Sequence, residues 1–271
     1  MIGKWDERLA KYLNIPITKS DFVFEAGGVE ANGKGTFLVI KEMAIQRNPG
    51  KSITEIENEL KRKLGAKKII WLAKGLVEDK QFPNMGPFFK NYFGGGANMH
   101  IDELCRFVDE ATVVLPFILK EDVNKSPVDS INYEILEENY NILKHSKTAE
   151  GRELKIIRIP MPEIEQLKFS IPVNENNLSE YKKFGFVIGD TVFRIPASSY
   201  CNFFISNNTV IVPKYWKPGM TETQRTKDES VYNLFKQLFP KSKIIQIYSI
   251  SVNRGGGGIH CMTHEQPVAE K

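Results

Sequence analysis

The spacing of apolar residues along the chain predicts short strands joined by a few longer helices. Apolar positions recur at helical intervals in four segments, which are residues 6–13, 52–64, 130–147 and 221–238. Ser52 and Glu55 stand three positions apart at the start of the second segment, the signature of a capping box. Amphipathic helices are therefore predicted in all four segments.

Runs of β-branched and aromatic residues predict the strands. They cover residues 22–25, 35–45, 68–72, 154–159, 192–195, 201–206, 210–212 and 244–250, with a hairpin over 104–119 that turns near Asp109 and Glu110. Turns are predicted at Asn32-Gly33 and Asn207-Asn208. Residues 73–99 read as a long loop and 163–189 as a polar insertion. Because the order helix, strand, strand, helix, strand recurs, the pattern favours an internally repeated α/β architecture.

Composition limits the classes of function. With 41% hydrophobic and 26% charged residues among 271, the chain has an ordinary soluble composition, and no linker divides it, so residues 1–271 are expected to form one domain. A net charge of +4 gives little support for nucleic-acid binding. No apolar run reaches the length of a membrane span. Three scattered cysteines indicate a reducing compartment, and we expect a cytoplasmic protein.

The richest candidate chemistry lies near the C-terminus, where four glycines, 255–258, precede Ile259, His260 and Cys261. Glycines allow a sharp turn and close approach of the backbone to a bound group. The thiol of Cys261 becomes a nucleophile as its thiolate, which needs a positive or donor-rich neighbourhood. Freed backbone N–H groups and nearby His and Arg side chains would supply one.

Two further features carry acid–base groups. On the strand that we predict around residue 100, His100 and Asp102 would point to the same face. A histidine can shuttle protons near neutral pH, and an aspartate can hold a guanidinium through paired hydrogen bonds. Glu25, ahead of Gly27 and Gly28, is either a buried acid that orients His100 or an exposed turn residue.

Other arrangements of the same residues remain open. Cys261 and His264 have the spacing of half a zinc site, but no second CxxC or HxxxH pair accompanies them, and no metal is expected. A cysteine–histidine hydrolase of protease type lacks its local signature here. Cys105 and Cys201 lie in apolar patterns and are expected to be buried and inert, whereas His145 is expected to face solvent.

Taken in order, several segments resemble the agmatine deiminase and bacterial-type (Porphyromonas-type) peptidylarginine deiminase family of the guanidine-modifying superfamily. They include EAGGVEANGKGT from Glu25, QRNP from Gln46, KIIWLAKG from Lys68, HIDELCRFVD from His100, IPASSYCNFF from Ile195, VIVP from Val210 and GGGGIHCMT from Gly255. The resemblance covers almost the whole chain. It implies a pentein-type α/β propeller of repeated αββαβ units and a guanidine-hydrolysing activity without metal or organic cofactor.

The resemblance also implies roles for single residues. Cys261 would attack the guanidinium carbon, and His100 would protonate the leaving ammonia and then activate water. Asp102 would hold the guanidinium nitrogens, and Glu25 would orient His100. Substrate contacts are implied for Asp102, Asn202, Gly257 and Gly258. The expected partner is a small cationic guanidine, agmatine first, with arginine or peptidylarginine as the alternative.

The chain also departs from the family pattern. The tryptophan-rich opening and the Arg-Asp-x-Gly-Pro segment that family members carry before Glu-Gly-Gly do not occur, so roughly one N-terminal unit is expected to be missing. The segment from Gly94 to Met99 replaces an acidic stretch, and Glu78 and Asp79 lie further from His100 than expected. A non-catalytic relative that binds a partner or ligand is therefore a third hypothesis, and a homo-oligomer is an open alternative.

Overall fold

A three-stranded sheet is the recurring unit of the fold. The computed structural model describes residues 5–80 and 85–265, and four such sheets form within them. In each sheet the central strand pairs antiparallel with one neighbour and parallel with the other. A tight turn can join antiparallel neighbours, whereas parallel neighbours need a longer crossover. The predicted repeated α/β architecture is confirmed.

The described residues contain twelve strands and nine α-helices. The strands are β1 Val29–Ala31, β2 Thr36–Ile40, β3 Lys68–Leu72, β4 Tyr92–Gly94, β5 Arg106–Phe107, β6 Thr112–Phe117, β7 Lys155–Pro160, β8 Phe169–Pro172, β9 Thr191–Ile195, β10 Phe204–Ser206, β11 Thr209–Lys214 and β12 Lys243–Tyr248. The helices are α1 Trp5–Leu13, α2 Lys41–Arg47, α3 Ile53–Leu64, α4 Ile101–Leu104, α5 Pro127–Lys144, α6 Ile164–Leu167, α7 Leu178–Tyr181, α8 Glu222–Leu238 and α9 Ile250–Asn253.

Three of the sheets come from continuous stretches of chain, in the orders β1-β2-β3, β5-β6-β7 and β10-β11-β12. Each contains an antiparallel hairpin followed by a helical crossover to a parallel strand, and the crossovers are α2 with α3, α5, and α8. The four predicted helices and the turns at Asn32-Gly33 and Asn207-Asn208 are confirmed. Ser52 and Glu55 form the predicted capping box at the start of α3.

Four of the strands predicted from β-branched and aromatic runs are wrong in part or whole. The strand over 35–45 ends at Ile40, because the chain enters α2 directly to begin its crossover. The strand over 201–206 begins only at Phe204, and the strand over 244–250 ends at Tyr248, ahead of α9. Residues 22–25 form no strand. The Asn48 side chain satisfies this backbone instead, since its Oδ1 accepts from Val23 N at 2.8 Å and its Nδ2 donates to Val23 O at 3.1 Å.

The fourth sheet, β4-β9-β8, is assembled from distant segments. Strand β4 interrupts the predicted loop 73–99 and pairs parallel with β9. Residues 163–189 are not an insertion, because they supply β8, which pairs antiparallel with β9. This sheet has its own small core, formed by Phe93, Val173, Tyr181 and Val192.

The main core joins the other three sheets. Buried apolar residues of β2, β6 and β11 belong to one continuous cluster. A buried polar clamp also links the sheets, because Arg106 Nε pairs with Glu30 Oε2 at 2.7 Å and Arg106 Nη1 donates to Phe203 O at 2.9 Å. No helix within residues 5–80 and 85–265 is both long and apolar enough to cross a membrane.

Candidate active site

The glycine-rich segment positions Cys261 by tight packing. Gly256 has a φ of +102°, which glycine adopts without strain. A Cβ on Gly257 would lie 2.9 Å from the Cβ of Cys261, and a Cβ on Gly258 would lie 2.3 Å from Asn202 Oδ1. Cys261 follows at once in a 3₁₀ turn, His260–Met262. Side chains at Gly257 and Gly258 would therefore displace the thiol or the group beside it.

The sulfur of Cys261 faces buried polar groups although the residue itself is partly exposed. Asn202 Nδ2 donates to Sγ at 3.2 Å, and Asp102 Oδ2 lies 3.4 Å from Sγ. Burial, followed by the charges of Asp102 and Glu103, raises the pKa of the thiol well above its ordinary value. The raised pKa favours the thiol form of Cys261, and a cation beside Asp102 would favour its thiolate.

His100 and Asp102 lie on a short helix and not on the predicted strand. His100 is the N-cap of α4, and Asp102 is inside it. Asp79 causes this turn, because its Oδ2 accepts from His100 N at 2.6 Å and its Oδ1 accepts from Ala97 N at 2.7 Å. Asp79 is thus in direct contact with the backbone of His100, despite the sequence distance that suggested otherwise.

The two side chains nevertheless meet, as the sequence suggested, and they meet at Gly27. A Cβ there would lie 2.7 Å from His100 Nδ1 and 2.9 Å from Asp102 Oδ2. Burial lowers the pKa of His100, opposed by the charges of Asp102 and Glu25, while Arg47 adds to the lowering. His100 therefore stays neutral to a lower pH than a free imidazole does.

Glu25 lies beside His100, with 3.9 Å between Glu25 Oε2 and His100 Nε2. Its other oxygen, Oε1, accepts from Arg47 Nε at 2.5 Å. From the sequence, Arg47 is only one residue of the segment QRNP that resembles the family, and no local pattern indicates that it pairs with Glu25. Glu25 thus lies next to His100, but its side chain is 37% exposed and is not the buried acid of the first interpretation, and its role in orienting His100 stays a prediction.

From the sequence, His260 is identified only as the residue before Cys261. Its Nδ1 lies 2.8 Å from Asp102 Oδ2, and its backbone N–H donates to Asn202 Oδ1 at 2.8 Å. Asn202, which is fully buried, thereby contacts both His260 and Cys261. The adjacency of His260 and Cys261 was the one available signal, but it could not reveal which carboxylate the ring would meet.

Buried carboxyl groups surround Asp102. Burial raises the pKa of Glu78 to about 7 and raises the pKa values of Asp79 and Glu103 well above their ordinary range. Within residues 5–80 and 85–265, neither carboxyl oxygen of Glu103 has a hydrogen-bond partner. Burial therefore favours the protonated forms of Asp79 and Glu103, whereas Glu78 is only partly protonated at neutral pH.

A cavity of about 230 Å³ brings most of the predicted site residues together. Its walls are Glu25, Ala26, Gly27, His100, Asp102, His260, Cys261, Thr263, His264 and Glu265. Asn202, Gly257 and Gly258 lie behind the thiol and do not line this cavity. The arrangement offers a thiol, three imidazoles and three carboxyl groups to one small bound molecule.

The remaining candidates lie apart from this chemistry. Cys105 and Cys201 are fully buried, and burial raises the pKa of both thiols, as expected for inert cysteines. His145 is exposed at the end of α5. Among the residues that the structure describes, no three His, Cys, Asp or Glu side chains are grouped so that they could hold a metal ion.

Comparison with known proteins gives related sequences and folds. A Legionella pneumophila protein named "Putative agmatine deiminase" is 31% identical over 265 residues, covering 97% of this chain and 61% of that protein. The agmatine deiminase of Enterococcus faecalis is similar in structure, with a TM-score of 0.70, 25% identity and coverage of 96% of this chain and 62% of that one. An agmatine deiminase of C. jejuni has the same fold, with a TM-score of 0.65 at 23% identity, covering 96% of this chain and 60% of that chain.

The chain therefore spans about three fifths of the length of these relatives. It has their pentein-type α/β propeller architecture, as the family resemblance implied. Residues 3–267 match the family described as Porphyromonas-type peptidyl-arginine deiminase. Since this match covers nearly the whole chain, the protein belongs to that family.

Proposed function

We propose that the protein hydrolyses the guanidine group of a small cation, agmatine first, to a urea and ammonia. The observation that carries the proposal is the meeting of Cys261, His100, Asp102 and Glu25 around one cavity of about 230 Å³. A planar cation needs a carboxylate partner, a soft nucleophile and a proton shuttle, and these four side chains supply them. Membership of the deiminase family supports the same reaction.

In the proposed mechanism Asp102 binds the guanidinium nitrogens and brings positive charge next to Cys261. Because Cys261 rests as a thiol among carboxyl groups, this charge favours loss of the thiol proton. His100 takes the thiol proton, the thiolate adds to the guanidinium carbon, and His100 passes that proton to the ammonia that departs. His100 then takes a proton from the water that attacks the thiouronium carbon, the C–S bond breaks to release the urea, and the proton returns from His100 to the sulfur of Cys261.

Agmatine is favoured over arginine by the walls of the cavity. Arginine carries a carboxylate that agmatine lacks, and a matching pocket would be expected to present a fixed cation. Among described residues, no Lys or Arg side chain lines the cavity. Arg47 pairs with Glu25, Arg106 with Glu30, and Arg254 stacks on Phe169 with 5.0 Å to the ring centre.

The decisive experiment compares ammonia release from agmatine, free arginine and an arginyl peptide. The purified chain should turn over agmatine fastest, and Cys261→Ala should lower kcat by at least about 10⁴-fold while leaving the folded spectrum unchanged. Cys201→Ala serves as a matched control, because that thiol is buried away from the cavity. Turnover that survives in Cys261→Ala contradicts the mechanism, and faster turnover of arginine contradicts the choice of substrate.

We also propose a domain organisation and a cellular location for the protein. We propose one propeller domain over residues 1–271 and, from the free cysteines, a cytoplasmic location. The hypothesis of a non-catalytic relative is retained only if a folded chain releases ammonia from none of the three substrates.

A further inference from the structure

His260 lies between the candidate active site and a neighbouring groove, and the mechanism above gives it no role. It lines the cavity of about 230 Å³ and also a more open one of about 540 Å³. Ala26, His264 and Glu265 are shared by the two cavities as well. His260 is therefore part of the wall that separates them.

The side chain of His260 occupies one oxygen of the proposed substrate anchor. Its Nδ1 lies 2.8 Å from Asp102 Oδ2. Since a carboxylate can only accept, Nδ1 must carry the proton in this contact. Cys261 Sγ lies 3.4 Å from the same oxygen, and Gly27 closes a third side. Asp102 Oδ2 thus has no free approach while His260 is in place.

A guanidinium must compete for that oxygen. Its planar N–H groups bind a carboxylate best in parallel pairs, one to each oxygen. Among the described residues Asp102 Oδ1 has no hydrogen-bond partner, so its acceptor positions are unused. A carboxylate oxygen has two acceptor positions, and His260 Nδ1 and the Cys261 thiol occupy those of Oδ2. The second N–H of the guanidinium must therefore displace one of these two contacts.

The groove offers His260 other partners on its far side. Glu265 Oε1 lies 3.9 Å from His260 Nε2. Glu30 also lines the groove, and burial raises its pKa while Arg106 and, more weakly, a protonated His260 lower it. A ring that leaves Asp102 toward the groove therefore meets carboxyl groups again.

We propose that His260 is a positioning residue that holds Asp102 in the empty site and yields its oxygen to the substrate guanidinium. The inference rests on the proposed function, because it takes Asp102 as the anchor of a guanidine. It implies that part of the binding free energy of the substrate is spent on displacing an internal hydrogen bond. Removal of the His260 donor should consequently tighten binding.

The first test measures binding without turnover, in a Cys261→Ala background, by titration calorimetry with agmatine. His260→Leu should lower the dissociation constant roughly ten-fold, the scale of one lost hydrogen bond to a buried charged group. His260→Asn keeps an N–H donor near the same place and should restore the weaker binding. His264→Leu is the matched control, because His264 lines the same two cavities but makes no hydrogen bond to Asp102 in the described structure. Unchanged or weaker binding by a folded His260→Leu variant overturns the inference.

The second test uses the unmutated chain and does not depend on catalysis. Nitrogen NMR should show the Nδ1–H form of His260 in the empty site, and titration with either agmatine or guanidinium ion should remove that signal. Loss of the signal with guanidinium ion but no binding of agmatine would sink the proposed substrate and leave the role of His260 intact. A signal that neither cation perturbs sinks the role of His260, even if agmatine is turned over.

Discussion

At the scale of single residues, Asn202 holds the thiol of Cys261 in place through hydrogen bonds to Cys261 and to its neighbour His260. Its Nδ2 donates to Cys261 Sγ at 3.2 Å, and its Oδ1 accepts from His260 N at 2.8 Å. The resemblance suggested that Asn202, Gly257 and Gly258 contact substrate, and that role stays a prediction. In the structure Asn202 bonds to His260 and Cys261, and Gly257 and Gly258 pack closely against Cys261 and Asn202. These contacts hold the 3₁₀ turn that carries Cys261.

Gly258→Ala tests this arrangement. The new Cβ would lie 2.3 Å from Asn202 Oδ1, so Asn202 must move and release its two hydrogen bonds. We expect kcat for agmatine to fall by roughly 100-fold, since a displacement of about 1 Å at a reacting group has that effect. Gly255→Ala, whose Cβ meets only Val252 O at 3.0 Å, should retain most of the activity. Equal activity in the two variants would contradict a positioning role for Gly258.

The buried carboxyl group of Glu78 predicts a pH-dependent stability. Burial raises its pKa from 4.5 to about 7, so the folded chain binds this proton more tightly than the unfolded chain does. Its favourable contribution is complete below about pH 4.5 and is lost as the pH rises through about 7. Relative to Glu78→Gln, the wild type should lose about 3 kcal/mol of unfolding free energy over that interval, since one pKa unit corresponds to about 1.4 kcal/mol.

Urea unfolding of both proteins at pH 5 and pH 8 measures this difference. Glutamine keeps an oxygen that can accept from Asn132 Nδ2, the partner of Glu78 Oε2. A gap between the two proteins that does not change with pH would show that Glu78 ionises in the folded state as freely as in water.

At the scale of elements, helices with clear apolar periodicity were predictable and segments shaped by side-chain hydrogen bonds were not. The capping box of Ser52 and Glu55 is a local pattern, and α3 begins where it predicts. His100 was placed on a strand because the turn before α4 depends on Asp79, which is 21 residues away in the sequence. Residues 22–25 look like a strand, yet Asn48 takes the place of a strand partner.

The same distinction between local patterns and long-range contacts holds for the residues of the candidate active site. Glu25, His100, Asp102 and Cys261 were recognisable from their residue types and their order. The contact between His260 and Asp102 spans 158 positions and could not be read from spacing. Likewise, the strand β8 alternates over only four residues, Phe169–Pro172, which is too short a signal to identify it without its pairing with β9.

The capping box gives a prediction at this scale. Ser52→Ala removes the acceptor for Glu55 N and one partner of the Glu55 side chain. We expect the free energy of unfolding to fall by about 1 kcal/mol, with activity toward agmatine unchanged, because α3 does not line the cavity. Ser52→Asp keeps a good N-cap acceptor and should restore most of the stability in a urea titration. A Ser52→Ala variant as stable as the wild type would contradict the assignment.

At the scale of the whole molecule, one buried ion pair connects three sheets. Glu30 lies on β1, Arg106 on β5 and Phe203 just before β10. Glu30 Oε1 also accepts from Phe107 N at 2.9 Å, and the guanidinium of Arg106 lies 4.8 Å from the centre of the Phe203 ring. Loss of one member leaves the other buried without its partner.

Arg106→Met should therefore be strongly destabilising. We expect a loss of about 3 to 5 kcal/mol in unfolding free energy, because the Glu30 carboxyl group stays buried. The double variant Glu30→Gln with Arg106→Met should recover part of this loss, since no unpaired charge remains. Denaturant titrations of the three proteins test the coupling, and strictly additive losses would count against a clamp.

The order of the chain also determines when the site can exist. Asp102 and Cys261 are 159 positions apart, and three of the four sheets include residues that lie between them. During synthesis, β5-β6-β7 can close from local segments, whereas β4 must wait for β9 before it has its partner. The nucleophile is added after all of these strands. A nascent chain can therefore form these sheets while its carboxylates are present and its reactive sulfur is still absent, so the site becomes chemically competent only after Cys261 has been added.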